Sequence, residues 1–556
     1  MHRHGTDIAP LAKTGGPALP LLPVATVERR VAVCIEDREL TVMRNVETME
    51  QQEGGEPVSA LPDEVRILTT GVPGLDMILG GGLPRTTFTM VLGAPGSGKT
   101  VMAQQLAIHR AHQGDRVIIF TALSESHDRL LAALKAFTFY DPALIGDQVQ
   151  FHSLQSFLMD DGLNATVSAI VETARSQRSN MVVIDGFRGI ASFADSQRDV
   201  RSFLYNVRTK LATLGISSMI THEASADTDV GHSALTLADT VIVLRNDLWG
   251  WHGRRSLRVQ KLRTRQHLDG LHTLTITPNG MTCYPRQETI PVTAAQSMEH
   301  GRASFGILEL DDMLHGGLPI GTSTIISGSL GTGKTLLTLQ YLLEGVKQGE
   351  PVLFLAFNES PEQLFQKAAT FGLGLRDAID AGMFTLLART PAELDADIVV
   401  SEVRDVIVKK GIRRLGIDAV TDLDRAILEP GRAYGFCASF VAFLRAHNVT
   451  TVAANEIFKL VGPDLDLSGS AFMKTSDNVI LLRHLEYRGR MHRIIAVLKM
   501  RQSSYDMAIR EFRIEDSGPK VLAPMDSGEG LLTGLARVTG GIAPLPDEPD
   551  DEQGGA

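Results

Sequence analysis

Two short stretches of the chain have the residue types and the spacing of a loop that binds phosphate. GAPGSGKT begins at Gly93 and GSLGTGKT begins at Gly328, and both follow the pattern G-x-x-x-x-G-K-[ST]. The glycines let the backbone curl so that several N–H groups point at one anion, and the positive end of the following helix adds to the attraction. We therefore expect both loops to bind the phosphates of a nucleotide. The residues expected to do so are Gly93, Gly96, Ser97, Gly98, Lys99, Thr100 and Val101 in the first loop and Gly328, Gly331, Thr332, Gly333, Lys334, Thr335 and Leu336 in the second.

The last two residues of each motif carry the chemistry. Lys99 and Lys334 would reach the β- and γ-phosphates of ATP, and the hydroxyls of Thr100 and Thr335 would hold Mg²⁺. Such a motif is credible only between a strand and a helix. The first copy follows TTFTMVL and precedes TVMAQQLAIHRA, and the second follows TSTIISG and precedes TLLTLQYLLEGV. Two matches in matching contexts argue against the alternative, a glycine-rich turn without a ligand.

An acidic residue ends an apolar strand pattern in each half of the chain. Asp185 closes MVVID and Asp418 closes RLGID, each at a similar distance after its phosphate loop. A carboxylate at this position is expected to bind Mg²⁺ together with the loop threonine, and so to belong to the nucleotide site. The alternative is a simple helix cap, which we disfavour because the arrangement occurs twice.

A second acid follows another apolar strand pattern in each half. Glu125 lies in LSES and Glu359 lies in FNES. A carboxylate at this place could orient the water that attacks the terminal phosphate. An exposed carboxylate in a turn is the alternative, and we favour the catalytic role.

Two basic pairs recur in register near the end of each half. KLR contains Lys261 and Arg263, and KMR contains Lys499 and Arg501. Both lie in strand-like runs, where alternation puts the two cations on one face. A solvated strand face is the ordinary alternative, but cations that stabilise charge on a transferring phosphoryl group are a known catalytic device. Because neither pair need touch its own loop, the pairs could act across a subunit interface, which would require a ring.

The same region permits a different interpretation. The basic run from Arg254 to Arg265 follows Trp249 and Trp251, and charge combined with aromatic stacking can bind single-stranded nucleic acid. Most of these basic residues coincide with the strand of the first basic pair, and the chain carries a net charge of −11. Nucleic acid is therefore the weaker interpretation of this segment.

The two loops are parts of a longer duplication. Matching segments lie before and after them at offsets of 233 to 238 residues. In each unit short β-rich runs alternate with helical patterns, which predicts α/β domains with a mostly parallel sheet flanked by helices. The matching segments include GLDMILGGGLP (74–84) and ELDDMLHGGLP (309–319), MVVIDGF (181–187) and RLGIDAV (414–420), and ADTVIVLRN (238–246) and SDNVILLRH (476–484).

The duplication sets the expected domain boundaries. The two α/β domains are predicted over residues 61–290 and 304–520, with a linker over 291–303. Residues 1–60 contain prolines and GG pairs and are expected to be disordered or weakly structured. Residues 521–556 form an acidic tail that is also expected to be disordered.

Composition bounds the class of protein. A chain of 556 residues, 43% hydrophobic and 21% charged, fits a soluble protein of several domains. Cys34, Cys283 and Cys437 are isolated in the sequence, which predicts neither a disulfide framework nor a zinc site. No uninterrupted apolar run of about 18 residues occurs, so we expect no membrane span and a cytoplasmic location.

Together these features resemble the KaiC family, RecA-like ATPases best known from the cyanobacterial circadian clock. The resemblance covers about residues 61–520 and includes KMRQSSYDMAIREFRI (499–514), which is similar to the end of the second domain in the family's clock members. It implies two tandem RecA-like P-loop domains and a homohexamer of two stacked rings, with ATP between adjacent subunits. It also implies that the K-x-R pairs reach the neighbouring subunit's nucleotide. The implied partners are regulatory proteins, KaiB-like or a signalling kinase.

The chain departs from the clock members of this family after the second strand of each domain. Those members carry two adjacent glutamates there, whereas Ser124 and Asn358 replace the first of each pair in this chain. One acid per site therefore remains.

A second departure concerns phosphorylation. The clock members phosphorylate an adjacent Ser-Thr pair, and counting without gaps puts Met473 and Lys474 at those positions. Neither side chain accepts phosphate as an ester, although Thr475 and Ser476 lie next to them. We therefore expect an ATP-hydrolysing double ring that regulates signalling or timing. The alternatives are a Ser/Thr autokinase and a RecA/RadA-like DNA-dependent ATPase.

Overall fold

The strand before each phosphate loop is buried along its whole length, as a strand of a sheet covered on both faces must be. In the computed structural model all six residues of FTMVLG, Phe88–Gly93, are buried. Val91 packs into one hydrophobic cluster, whereas Met90 and Leu92 pack into a second one. Successive residues of a strand point to opposite faces, so these clusters form the core on the two sides of the first sheet.

The structure describes residues 67–122, 127–223, 232–249, 252–263, 265–292, 299–391, 394–457, 470–487 and 490–524. The predicted N-terminal extension, Glu125 and Ser124, and nearly all of the predicted tail lie outside these ranges.

Each domain contains a nine-stranded sheet and a two-stranded one within the described residues. The first domain has β1 Ile67–Leu68, β2 Leu83–Pro84, β3 Phe88–Gly93, β4 Val117–Thr121, β5 Val149–Ser153, β6 Met181–Asp185, β7 Ser217–Glu223, β8 Thr240–Trp249, β9 His252–Leu262, β10 His272–Thr277 and β11 Gly280–Tyr284. The second has β12 Arg302–Ala303, β13 Leu318–Pro319, β14 Ser323–Gly328, β15 Val352–Ala356, β16 Phe384–Ala388, β17 Arg414–Asp418, β18 Thr450–Glu456, β19 Asn478–Tyr487, β20 Arg490–Met500, β21 Arg510–Glu515 and β22 Gly518–Pro524.

The helices flank these sheets. In the first domain they are α1 Leu75–Ile78, α2 Lys99–His112, α3 His127–Leu134, α4 Gly162–Ser176, α5 Phe187–Ala191, α6 Gln197–Thr213 and α7 His232–Leu237. In the second they are α8 Leu308–Met313, α9 Lys334–Lys347, α10 Pro361–Thr370, α11 Leu375–Asp380, α12 Ala396–Lys410, α13 Val420–Arg425, α14 Ala433–Ala446 and α15 Ala471–Thr475.

The two large sheets have the same strand order. The first runs β5-β4-β6-β7-β3-β8-β9-β10-β11 and the second runs β16-β15-β17-β18-β14-β19-β20-β21-β22. The first six strands of each order are parallel to one another, and each of the last three is antiparallel to the strand before it. The predicted fold, two tandem α/β domains with mostly parallel sheets, is confirmed.

Regular structure extends past two of the boundaries drawn from the sequence. β12 lies in the predicted linker, where it pairs with β13 of the second domain. β22 continues to Pro524, beyond residue 520. In both places backbone pairing with a neighbouring strand, which composition does not reveal, decides the end of the domain.

A buried charge cluster joins the two domains. Arg432 of the second domain, 9% exposed, donates to both oxygens of Glu288, which follows β11 of the first. It also donates to both oxygens of Asp397 at 3.0 Å. Burial opposes ionisation of Glu288, but hydrogen bonds from Arg432 and Arg286 outweigh it and lower the pKa of Glu288 to about 2. Glu288 therefore stays ionised at neutral pH, whereas burial raises the pKa of Asp397 against the opposing effect of Arg432. The hydrogen bonds of Arg432 to both carboxylates connect the two domains.

Replacing Arg432 by alanine is expected to cost about 3–5 kcal/mol of unfolding free energy, because it leaves the buried Asp397 without its cation and Glu288 with Arg286 alone. Guanidinium denaturation of the full chain would measure the loss. Arg116→Ala is the matched control, since Arg116 is 48% exposed and pairs with an exposed aspartate, and it should change stability little. Equal losses for the two variants would show that the cluster does not hold the domains.

Candidate nucleotide sites

The two phosphate loops have the same backbone conformation. Gly98 and Gly333, the glycines before the lysines, have φ angles of 102° and 99°, which L side chains rarely adopt. Both are also closely packed: a Cβ on Gly98 would lie 2.6 Å from Ile276 Cδ1, and one on Gly333 would lie 2.8 Å from Ile514 Cδ1. These contacts come from the antiparallel strands β10 and β21, which cover the start of the helix after each loop. Glycine is therefore required here by both conformation and space.

The loop lysines fold back over their own loops. Lys99 Nζ donates to the carbonyl oxygens of Gly93 and Ala94, at 2.9 and 3.0 Å. Lys334 Nζ makes the two equivalent bonds, at 2.9 and 2.8 Å. Each ammonium group is therefore held against the backbone of its own phosphate loop.

The loop threonines touch the strand-end aspartates. Thr100 Oγ1 donates to Asp185 Oδ2 at 3.0 Å, and the Thr335 hydroxyl bonds to Asp418. Burial raises the pKa of Asp418 to about 6, and its bond to Thr335 offsets part of that rise. A hydroxyl and a carboxylate side by side are oxygen donors of the kind that Mg²⁺ takes from protein when phosphates complete its shell. The described residues contain no cluster of three or more His, Cys, Asp or Glu side chains able to hold a metal.

Two further acids belong to these sites and were missed by the sequence analysis. Glu223 ends β7 and Glu456 ends β18, the strands next to the loop strands. Burial lowers the pKa of Lys99, and the charge of Glu223 offsets part of that shift; Glu456 does the same for Lys334. The sequence duplication could have identified both acids, because SSMITHE and TTVAANE end in glutamate at matching positions.

The second site opens into a cavity of about 340 Å³. Among the residues that line it are Lys334, Thr335, Asn358, Glu359, Lys367 and Asp418. The cavity therefore brings together the loop, the strand-end acid and the predicted water-orienting acid of the second domain. Glu125, the corresponding acid of the first domain, lies outside the described residues.

Asn358, which replaces the first glutamate of the family's pair, has a partner of its own. Its Nδ2 donates to Asp422 Oδ2 at 2.6 Å. Asp422 lies in α13 and is buried. The amide is thus held by a neighbouring carboxylate, and as an amide it has no basic lone pair for proton abstraction.

The basic pairs lie far from their own loops. Lys261 pairs with Val241 of β8, which pairs with Met90 of β3, whereas Leu244 pairs with Gly93, where the loop begins. Three residues along a strand span about 10 Å. Lys261 therefore lies toward the amino end of the parallel strands, and its own phosphate loop lies beyond their carboxyl end.

The second domain repeats this arrangement. Lys499 pairs with Val479 of β19, whereas Leu482 pairs with Gly328. In both domains a β-bulge lies next to the residue that the lysine faces on the neighbouring strand, between residues 241 and 242 and between 479 and 480. The register shift beside the basic pair is therefore shared by the two domains.

The two cations of the first pair meet at one backbone carbonyl, although Arg263 lies one residue past the end of β9. Lys261 Nζ and Arg263 Nη2 both donate to the carbonyl oxygen of Thr236, at 3.2 and 2.8 Å. Burial lowers the pKa of Lys261, and the adjacent Arg263 lowers it further. In the second domain Lys499 Nζ donates to the carbonyl oxygen of Ser476 at 2.7 Å. The lysine of each pair is therefore anchored to the backbone just before β8 or β19.

Arg254, the first residue of the basic run, faces the second domain. It forms ion pairs with Asp395 at 3.4 Å and Glu429 at 3.3 Å and is 15% exposed. Its guanidinium group is engaged in ion pairs with the second domain of the same chain, which weakens the nucleic-acid interpretation of this segment. Within the described residues no helix is both long and apolar enough to cross a bilayer.

Comparison with known proteins agrees with this geometry. A family model described as "ATPase: KaiC" matches the chain twice, over residues 68–288 and 303–526. The circadian clock oscillator protein KaiC of Rippkaea orientalis is 28% identical over 487 residues, which cover 85% of this chain and 92% of that protein. Circadian clock protein KaiC3 of Synechocystis is 27% identical over 497 residues, 86% of this chain and 96% of its own length. With two tandem matches over most of its length, the chain belongs to the KaiC family of nucleotide-binding ATPases.

Proposed function

We propose that this chain forms a homohexameric double ring that hydrolyses ATP at both tiers and regulates signalling or timing through partner proteins. The observation that carries the proposal is the separation of each phosphate loop from its K-x-R pair. One subunit holds the two at opposite ends of the same parallel strands. A ring in which each subunit offers its pair to the next subunit's loop would unite them.

The residues of each loop fit ATP with Mg²⁺. Ser97 Oγ and Ser329 Oγ, inside the two loops, are buried without a protein partner. With the left-handed glycines and the folded-back lysines, this leaves donors in each loop for an anion. Thr100 with Asp185, and Thr335 with Asp418, would hold Mg²⁺, whose charge would stabilise the phosphate oxygens during hydrolysis.

The remaining side chains supply position and charge. Glu125 and Glu359 would each orient the attacking water and accept its proton. Lys99 and Lys334 would leave their loop carbonyls to bind the phosphates. The K-x-R pairs of the adjacent subunit would stabilise the charge that develops on the transferred group.

The autokinase alternative is disfavoured by the residues around the acceptor positions. Met473 is buried in the core of the second domain, 7% exposed. Ser476 is fully buried and its hydroxyl donates to the carbonyl of Met473, while Thr475 Oγ1 donates to the carbonyl of Phe472. Both available hydroxyls are therefore used within α15. Partner proteins, KaiB-like or a signalling kinase, remain part of the proposal through the family alone.

The two loops are expected to bind one nucleotide each. Equilibrium titration with a fluorescent ATP analogue should give two sites per chain in the unmodified protein. Lys99→Ala and Lys334→Ala should each remove one site, because the missing ammonium leaves the phosphates with backbone donors alone, and the double variant should bind none. A single variant that kept both sites at full affinity would contradict the assignment.

Saturating Mg-ATP is expected to assemble six chains. Light scattering coupled to size-exclusion chromatography would measure the mass.

Arg263→Ala and Arg501→Ala should reduce hydrolysis, since each removes a cation from the neighbouring site. Mixed rings of Arg263→Ala and Lys99→Ala subunits should recover part of the first-ring activity, because some interfaces then contain both intact parts. A monomer at micromolar concentration under saturating Mg-ATP would exclude the ring.

Neither ring is expected to phosphorylate itself efficiently. Intact-mass spectrometry after hours with Mg-ATP should show the unmodified mass, because Asn358 cannot act as a base and the nearby hydroxyls are bonded within α15. An adduct of about 80 Da on Thr475 or Ser476 that disappears in Lys334→Ala would restore the autokinase interpretation.

A further inference from the structure

We propose that Lys367 is a positioning residue for Glu359 and sets the rate of hydrolysis at the second site alone. The proposal rests on the role of Glu359 in the proposed function and adds the group that holds its carboxylate in place.

The contact is built by the helix that follows the glutamate. Ser360 caps α10 by accepting a hydrogen bond from the Gln363 backbone, and the Gln363 side chain accepts one from the Ser360 backbone. This capping box fixes the start of the helix directly after Glu359. Lys367, two turns further on, then lies beside the glutamate, and its Nζ donates to Glu359 Oε1. The two side chains are 26% and 31% exposed, so solvent screens the pair only in part.

The other carboxylate oxygen is left for a ligand. Glu359 Oε2 is buried and has no hydrogen-bond partner in the protein. A buried carboxylate oxygen without a donor is unfavourable, so a group in the cavity is expected to supply one. Glu359 and Lys367 both line the cavity that Lys334 and Asp418 also face. A water between Glu359 Oε2 and the terminal phosphate would be that donor, and the bond from Lys367 keeps Oε2 turned toward it.

The sequence of the first domain has no lysine at the position that matches Lys367. Lys367 comes eight residues after Glu359, and the residue eight positions after Glu125 is Ala133. Ala133 lies in α3, the counterpart of α10, and is exposed. The duplication therefore kept the glutamate in both domains and the lysine in one. The two rings differ in a residue that acts through the catalytic acid, not in the acid itself.

The test uses the full chain with Glu125→Gln, so that the hydrolysis measured comes from the second site. In that background Lys367→Met should lower kcat about 10-fold or more, with KM for ATP nearly unchanged, because the water is held less well while the phosphates are bound as before. Lys367→Arg, which keeps a cation, should retain most of the rate. Lys347→Met, on the exposed end of α9, is the control and should leave the rate unchanged.

A second comparison shows whether Lys367 acts through Glu359. In a chain that also carries Glu359→Gln, Lys367→Met should cause no further loss, because the carboxylate that it positions is already gone. An unchanged or increased kcat in Lys367→Met, or a further loss in the Glu359→Gln chain, would overturn the positioning role while leaving the double-ring ATPase intact. Full second-site activity in Glu359→Gln itself would instead overturn the role of the glutamate, and the present proposal with it.

Discussion

Both sites depend on the direction of the strands. In a parallel sheet the carboxyl ends of neighbouring strands share one edge, so the loop after β3 meets the acids that end β6 and β7. The chain then returns in β9, antiparallel to β8, and this return carries Lys261 to the opposite edge. Each domain therefore presents a phosphate-binding end and a cationic end that cannot meet within one subunit. Assembly into a ring is the simplest way for such ends to complete one another.

The two domains have kept the same backbone conformation and the same lysine contacts around their phosphate loops. The loop glycines have nearly the same φ angles in both domains, the lysines make the same two bonds, and the bulge beside the basic pair recurs. The residues next to the predicted water-orienting acids differ more between the two domains. Asn358 stands where the first domain has Ser124, and Lys367 stands where it has Ala133. The two domains therefore share the geometry of the phosphate loop but differ in the residues before and after the predicted water-orienting acid.

The contact between the domains involves the same strand as the first basic pair. Arg254 near the start of β9 pairs with Asp395 and Glu429 of the second domain, and Lys261 lies near the end of β9. The strand is thus tied to the second domain at one end and offers its cation at the other.

Much of this protein is determined by its sequence alone. The spacing of GAPGSGKT and GSLGTGKT, the strand-end Asp185 and Asp418, and the offset between matching segments together predict two tandem α/β domains and both phosphate loops, because backbone conformation and strand periodicity are local properties. Glu223 and Glu456 were overlooked, since a glutamate at the end of a strand joins a site only through the neighbour that the sheet gives it. Whether Lys367 meets Glu359, and Asn358 meets Asp422, was decided only by the tertiary structure. Those contacts join separate elements, and no local pattern encodes the packing that brings the elements together.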